Sequence, residues 1–193
     1  ESYARDMRLA VEAYAKQRPE FRARVIAHKT HRTVRLGQHV TLIFEDELTI
    51  RYQIQEMLRI EKTFEEAGIQ DELDAYTPLI PDGANLKATM LIEYEDPLVR
   101  KTELARLKGV ESRVYVQVDG QPKVYAIADE DMERENEEKT SSVHFLRFEL
   151  EPTAIASWKA GAAVAIGVDH PHYGVRLDEV APQVQSSLAR DFR

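Results

Sequence analysis

The first third of the chain switches between helical and strand-like hydrophobic patterns. Residues 2–17 place apolar side chains at helical spacing and predict an amphipathic helix that ends near Pro19, because a proline inside a helix removes a backbone hydrogen bond. Residues 32–44 alternate with period two and predict one strand with a bulge at Gly37. Residues 47–67 carry the strongest helical pattern, and the glycine that follows predicts where this helix ends.

After a turn-rich connector, the rest of the chain reads as strands separated by short helices. Asp96 followed by Pro97 predicts a helix start, and Asp119-Gly120 predicts the turn of a hairpin. The predicted strands are 87–95, 113–118, 123–128, 143–150 and 162–168, and the predicted helices are 97–109, 152–160 and 178–190.

Strands joined by such short connections favour an α+β fold with a mainly antiparallel sheet of about five to six strands and helices packed on one face. At 193 residues the chain is expected to form a single domain, 1–193. Within it, 1–30 is an N-terminal basic helical segment and 31–193 is an α+β body.

Composition narrows the class of protein. The chain has no cysteine, which excludes structural disulfides and thiolate chemistry, and its apolar runs are too short for a membrane span. We therefore expect a cytoplasmic protein with no membrane partner. The chain begins at Glu1, so the sequence does not show whether residues precede it, and it does not indicate an oligomeric state.

Charge is unevenly distributed along the chain. Residues 1–36 carry nine Lys or Arg against four acids, within a chain whose net charge is −8. A basic segment of this kind can steer an acidic partner. We predict docking through the segment 18–36, with Arg22, Arg24, Arg32 and Arg35 as the docking residues. Alternatively, the segment lies against the acidic remainder of its own fold.

One carboxylate lies within an apolar helical stripe. On the helix predicted over 47–67, Glu61 falls among Ile50, Ile54, Met57, Leu58 and Phe64. A buried carboxylate must pair with a cation, stay protonated or bind a metal. Glu61 is therefore a candidate for acid–base catalysis or ligand binding, or else it forms an internal pair with an arginine such as Arg51 or Arg147.

Two polar residues in the predicted strands could complete a pocket with Glu61. His144 shares a strand face with Leu146 and Phe148, and Glu93 shares a face with Leu91. A pocket between the 47–67 helix and the sheet would hold a small molecule. His144 is then a second catalytic candidate, and Glu61, Glu93 and His144 are the predicted ligand-binding residues. A hydrogen-bonded structural histidine is the alternative for His144.

The sequence Asp169-His170-Pro171-His172 suggests a metal site. Two histidines that are two residues apart in an extended segment project to one side, and with Asp169 they form a ligand set typical of iron or zinc. Turn chemistry alone also explains a proline among polar residues. A divalent metal at Asp169, His170 and His172 is thus the predicted cofactor.

Several function classes lack their sequence signals. The chain contains no phosphate-binding glycine motif and no serine at a nucleophile elbow. Nucleic acid is not an expected partner, because the basic third has few aromatic residues and the pI is near 5.3.

Five segments together resemble an uncharacterised bacterial family known only as a domain of unknown function. They are 51–59, 76–82, 124–130, 144–150 and 165–171, and the resemblance extends over nearly the whole chain from about His31. The resemblance implies that this family is encoded near rubrerythrin-like proteins, and hence that it has a role linked to oxidative stress or iron. The resemblance identifies no catalytic residues in this chain.

Two function hypotheses remain. The first is an accessory or binding protein that works with an acidic redox partner and docks through the basic segment. The second is a small-molecule enzyme or ligand sensor with a buried carboxylate and histidine. The sequence does not decide whether the protein is an enzyme.

Overall fold

A computed structural model describes residues 2–62, 65–128 and 139–193, with the backbone alone for residues 2–12. The chain divides into two compact units. The helical unit comprises Glu1–Thr30 and Glu45–Pro81, and the sheet unit comprises His31–Phe44 and Asp82–Arg193. The single domain expected over 1–193 stays a prediction, but the N-terminal segment 1–30 groups with residues 45–81 rather than standing alone.

Three helices form the helical unit, namely α1 (Ser2–Thr30), α2 (Glu47–Glu61) and α3 (Glu66–Tyr76). The predicted end of α1 near Pro19 is wrong, because the helix continues through the proline to Thr30. Side chains on both sides of Pro19 pack onto α2, and Val25 is only 1% exposed. This packing offsets the hydrogen bond that the proline removes.

The helix predicted over 47–67 is two helices. It ends at Glu61 because Lys62 adopts the left-handed backbone conformation, with φ of 51°. Gly68 then lies inside α3 instead of terminating α2. The start of α2 is a capping box, in which the Asp46 side chain accepts from the Thr49 N–H and the Thr49 side chain accepts from the Asp46 N–H.

The sheet unit contains eight strands and three α-helices among the described residues. The strands are β1 (Thr33–Leu36), β2 (Val40–Glu45), β3 (Asn85–Ile92), β4 (Val114–Val118), β5 (Val124–Tyr125), β6 (Val143–Glu149), β7 (Val164–His170) and β8 (Tyr173–Leu177). The helices are α4 (Pro97–Arg106), α5 (Pro152–Lys159) and α6 (Pro182–Ala189). The Asp96 cap and the turn at Asp119-Gly120 are confirmed.

The α+β class and the antiparallel pairing are confirmed, but the strands form two sheets of four rather than one of five or six. The strand orders are β1-β2-β3-β6 and β5-β4-β7-β8. Alternation of apolar and polar residues along a strand indicates that one face is buried, but it does not show whether a helix or a second sheet covers that face. Here the buried faces of both sheets contribute to one hydrophobic core, together with side chains of α4, α5 and α6.

Two hairpins depart from the predicted strands. Residues 32–44 are not one bulged strand, because Gly37 takes φ of 72° and reverses the chain between β1 and β2. The segment after β7 also turns back, and β8 pairs with β7 with His170 opposite Tyr173. The sequence did not predict β8, whose five residues are all exposed or only partly buried.

Part of the sequence-based interpretation falls outside the described residues. Phe64, the last member of the predicted apolar stripe of α2, lies there, as do the last two residues of the segment 124–130 that carries part of the family resemblance. The buried members of that stripe that the structure describes are Ile50, Ile54 and Leu58.

Candidate functional site

Glu61 is exposed, so the predicted burial of its carboxylate is wrong. It is the last residue of α2, where the helix stops and its side chain reaches solvent. Its neighbour is Glu72 of α3. Partial burial and a hydrogen bond shared with Glu61 raise the pKa of the Glu72 carboxyl above its ordinary value.

His144 is fully buried, and it shares the inward face of β6 with Leu146 and Phe148 as predicted. Its Nε2 lies 2.8 Å from both the Thr140 hydroxyl and the Ser141 carbonyl. A histidine held in this way satisfies its polar atoms inside the core. The structural alternative for His144 therefore has direct support.

Glu93 follows β3 and has an exposed carboxylate. Its backbone has a defined role, because the Glu93 carbonyl is 2.8 Å from Nδ1 of His39 and its N–H donates to the His39 carbonyl at 2.8 Å. The His39 ring also stacks on Tyr94 at 3.9 Å. The ligand-binding residues predicted at 61, 93 and 144 thus lie in three different environments, one of them inside the core.

The predicted metal ligands are not arranged around a common point. Asp169 and His170 are consecutive residues of β7, so their side chains point to opposite faces of the sheet. Nε2 of His170 bonds to the Lys108 carbonyl at 2.9 Å, and its Nδ1 accepts the N–H of His172 at 3.1 Å. Both ring nitrogens of His170 are therefore occupied by hydrogen bonds.

Pro171 and His172 form the turn between β7 and β8, not the extended segment on which the metal prediction depends. Across the described ranges, no group of three or more His, Asp or Glu side chains is placed to hold a metal ion.

Asp169 instead organises a polar network on the outer face of the second sheet. It accepts a hydrogen bond from Tyr125, and it pairs with Arg113 at 2.6 Å and Lys123 at 3.6 Å. Partial burial acts to raise the pKa of the Asp169 carboxyl. The hydrogen bond from Tyr125 and the two cations outweigh burial, so the pKa lies below its ordinary value.

The four predicted docking arginines differ in exposure and in the unit to which they belong. Arg32 is 1% exposed, and it donates to the Phe44 carbonyl and to Asp191, at 2.8 and 2.5 Å. It is a core residue, so its prediction as a docking residue is wrong. Arg35 is exposed on β1 in the sheet unit, while Arg22 and Arg24 are exposed on α1. Helical geometry places Arg22 and Arg24 about 200° apart around α1.

Arg22 belongs to a basic stripe along the α1–α2 seam, which we define by Arg18, Arg22 and Lys29 of α1 and Arg59 of α2. The three α1 positions are four and seven residues apart, and this spacing keeps them on one side of the helix. Arg18 and Arg59 both lie beside Glu56 of α2, at 2.8 and 3.9 Å.

Aromatic rings and one carboxylate hold the basic stripe in place. The Lys29 Nζ lies 5.7 Å from the centre of the Tyr52 ring, which packs on Phe21. Tyr14 donates to Glu56 at 2.7 Å. Partial burial acts to raise the pKa of Glu56, but the hydrogen bonds from Arg18 and Tyr14 prevail and lower it. Glu56 is therefore ionised at neutral pH.

The predicted docking segment 18–36 contains Arg18 and Lys29 but does not single them out, and Arg59 lies outside it. The signal was present in the four- and seven-residue spacing of the α1 cations. A helix end predicted near Pro19 hides this spacing, because residues after that end are not expected to follow the helical repeat.

Comparison with known proteins places the chain in a family. The profile described as "Protein of unknown function (DUF3501)" matches residues 4–192. The chain belongs to the DUF3501 family. The match runs from α1 to α6, so both units and the whole basic stripe lie within the extent of the family.

A solved structure has a closely similar fold. The chain is similar to a novel protein of unknown function from Burkholderia pseudomallei K96243, known from a crystal structure, with 60% sequence identity and a TM-score of 0.90. The alignment covers 95% of each chain. None of the curated proteins matches the chain.

The DUF3501 match confirms the expected membership of an uncharacterised domain family. A link to rubrerythrin-like proteins, oxidative stress or iron stays a prediction. Among the helices of the described residues, none is both long and apolar enough to cross a membrane.

Proposed function

We propose that this DUF3501 protein is an accessory binding protein that docks an acidic partner through the basic stripe of its helical unit. The observation that carries the proposal is the gathering of four cations, Arg18, Arg22, Lys29 and Arg59, along the seam, where Arg18 and Arg59 share the Glu56 carboxylate. The stripe is basic although the whole chain carries a net charge of −8. A local field of this sign attracts acidic surfaces and sets the orientation of encounter.

The geometry supports a prepared surface rather than a loose set of charges. Glu56 fixes the guanidinium of Arg18 with two hydrogen bonds, at 2.8 and 3.3 Å. The half-buried rings of Phe21 and Tyr52 lie beside the cations. Arginine and aromatic residues are enriched at protein interfaces, where they supply contact area together with directed hydrogen bonds.

Arg22 is the exposed centre of the basic stripe. It forms no ion pair or hydrogen bond with the side chains and backbone that the structure describes, so its charge is available to a partner. Arg24 is also exposed on the same helix but lies on a different side, outside the stripe. The two arginines therefore make a matched pair for testing the surface.

The resemblance to a family encoded near rubrerythrin-like proteins suggests that the partner is an acidic redox protein. This part of the proposal rests on the resemblance, whereas the docking surface rests on the basic stripe. The two parts need separate probes.

A labelled polyglutamate peptide tests the surface, and a purified rubrerythrin-like protein from the same organism tests the partner. Binding of each is measured by fluorescence anisotropy at about 25 mM and about 300 mM salt, because exposed charges are screened at the higher concentration. We expect the double variant Arg22→Glu/Lys29→Glu to lose roughly tenfold in affinity at low salt.

The control is Arg24→Glu/Arg35→Glu, which changes the net charge equally but leaves the basic stripe intact. Circular dichroism establishes that both variants remain folded. Equal losses in the two variants, or affinity that does not depend on salt, would contradict docking through the stripe. If the peptide binds as expected and the rubrerythrin-like protein does not, the redox partner alone is wrong.

A further inference from the structure

A second feature lies on the outer face of the second sheet, where a row of residues crosses four strands. The register places Tyr125 opposite Tyr115, Tyr115 opposite Gly167, and Gly167 opposite Arg176. A Cβ atom at Gly167 would lie 2.5 Å from the Tyr115 hydroxyl. The missing side chain at position 167 therefore lets Tyr115 and Arg176 meet across β7.

The guanidinium of Arg176 is held by three acceptors. Its Nε donates to Asp178 at 2.9 Å, and its Nη1 donates to the Gln117 side-chain oxygen at 2.9 Å and to the Tyr115 hydroxyl at 3.3 Å. Gln117 is itself oriented, since its amide donates to the Gln121 carbonyl at 3.0 Å. The second terminal nitrogen, Nη2, forms no hydrogen bond with the described residues, so two N–H groups of a fixed cation remain available.

A small pocket of about 130 Å³ adjoins this guanidinium. Ala163 and Ala165 give it an apolar floor, while Arg176 and Gln117 line it with polar atoms. Asp119 and Asp178 also line the pocket. A positioned guanidinium beside an apolar floor suits a carboxylate with a short hydrocarbon tail.

We propose that this pocket binds a small monocarboxylate, with the carboxylate oxygen accepting from Nη2 of Arg176 and the tail on Ala163 and Ala165. The volume limits the ligand to a few heavy atoms. Asp178 is already paired with Arg176, and the other lining carboxylate, Asp119, repels negative charge. The binding of a monocarboxylate therefore rests on the hydrogen bond from Nη2 and on the alanine contacts, and a dicarboxylate or phosphate binds less well. This site belongs to the sheet unit and does not depend on the docking function of the helical unit.

The test is a titration of the isotope-labelled full chain with sodium propionate, followed by amide chemical shifts in two-dimensional NMR. Sodium chloride at matched ionic strength is the blank. We expect saturable shifts at Gln117 and Gly120 with millimolar affinity, and weaker binding of succinate and phosphate. Shifts that fail to saturate up to about 100 mM propionate would overturn the proposal.

Two variants locate the site. Arg176→Met should weaken propionate binding at least about tenfold, whereas Arg35→Met, which removes an exposed cation from β1, should leave it unchanged. Ala163→Leu occupies the floor of the pocket without altering Arg176, and it should also weaken binding about tenfold or more. Propionate affinity that is unchanged in Ala163→Leu would refute the pocket even if Arg176→Met were poorly folded.

Discussion

Arg32 shows how far one residue can depart from the role that its type suggests. It is one of nine basic residues in the first 36, yet its side chain lies inside the sheet unit. There it joins the Phe44 carbonyl at the end of the first hairpin to Ser187 and Asp191 near the C-terminus. Period-two spacing already put position 32 in phase with Val34 and Leu36, but its charge favoured a surface assignment.

Replacing Arg32 by methionine should destabilise the protein by about 3–5 kcal/mol, because the substitution leaves Asp191 buried at 5% side-chain exposure without its cation. Urea unfolding at neutral pH measures the effect. Arg35→Met removes an exposed arginine from the neighbouring strand and should change stability by less than about 0.5 kcal/mol. Similar losses in both variants would show that Arg32 does not act through this buried pair.

Glu56 gives a pH-dependent prediction. Its pKa is lowered in the folded state, so its contribution to stability is complete above the unfolded value of about 4.5 and is lost as the pH falls through the folded value. Glu56→Gln should therefore be less stable than the natural chain at neutral pH, and the difference should shrink in acid. The free energy of unfolding of both chains, measured from neutral to acidic pH, tests this. A difference that stays constant in acid would contradict it.

At the scale of elements, the sequence predicted which helices and strands exist better than it predicted where they begin and end. The Asp96-Pro97 start of α4, the Asp119-Gly120 hairpin and the strand at 143–150 are all found. Each has a local cause, either a capping side chain, a turn that needs positive φ, or strict alternation.

The missed boundaries depend on tertiary contacts instead. Pro19 remains inside α1 because residues on both sides of it pack on α2, and no local pattern reveals this. Gly37 adopts positive φ in a chain reversal between β1 and β2, although a bulge would use the same residue. In the edge strand β8, Tyr173, Val175 and Leu177 do alternate with period two, but the polar, proline-containing segment before them favours a loop.

The candidate sites were harder to predict for a related reason. A site such as the basic stripe or a metal-binding histidine pair depends on which residues of other helices and strands lie beside it. Strand register and the rotational position of residues around each helix determine those neighbours. Glu61 is exposed because α2 ends at residue 61 rather than at 67. The predicted metal ligands are separated because residues 171–172 form a hairpin turn. The basic stripe could be predicted only if α1 were known to continue as one helix through Pro19.

Gly167 provides a test of the cross-strand row on the second sheet. Gly167→Ala should destabilise the protein by about 1–3 kcal/mol, because the added methyl group would lie 2.5 Å from the Tyr115 hydroxyl and 2.6 Å from the Val175 carbonyl. The matched control is Gly174→Ala on the adjacent strand, where nothing lies within 4 Å of the added atom. Thermal unfolding of both variants measures the difference. Equal stability would show that Tyr115 moves aside without cost.

At the scale of the whole molecule, the two units differ in how many of their described hydrophobic side chains are buried. The sheet unit has one core that draws on both of its sheets and on three helices. The helical unit buries a smaller set of described hydrophobic side chains, namely Tyr14, Val25, Ile50, Ile54, Leu58, Ile69, Leu73 and Leu79. Burial of apolar surface is the main favourable term in folding, so the units should differ in local stability.

Native-state hydrogen exchange should therefore separate them. Amides of the buried strands β3, β4, β6 and β7 are expected to exchange only through openings whose free energy is close to that of global unfolding. Amides of α1, α2 and α3 are expected to exchange through openings of lower free energy. Such an arrangement suits a docking surface, because the less stable unit can adjust its side chains to a partner while the sheet core stays closed. Mass spectrometry of peptides from both units, followed over increasing denaturant, measures the two classes of opening. If peptides of α2 and β6 exchange with the same free energy, the chain opens as one cooperative body, and the smaller core does not make the helical unit more dynamic.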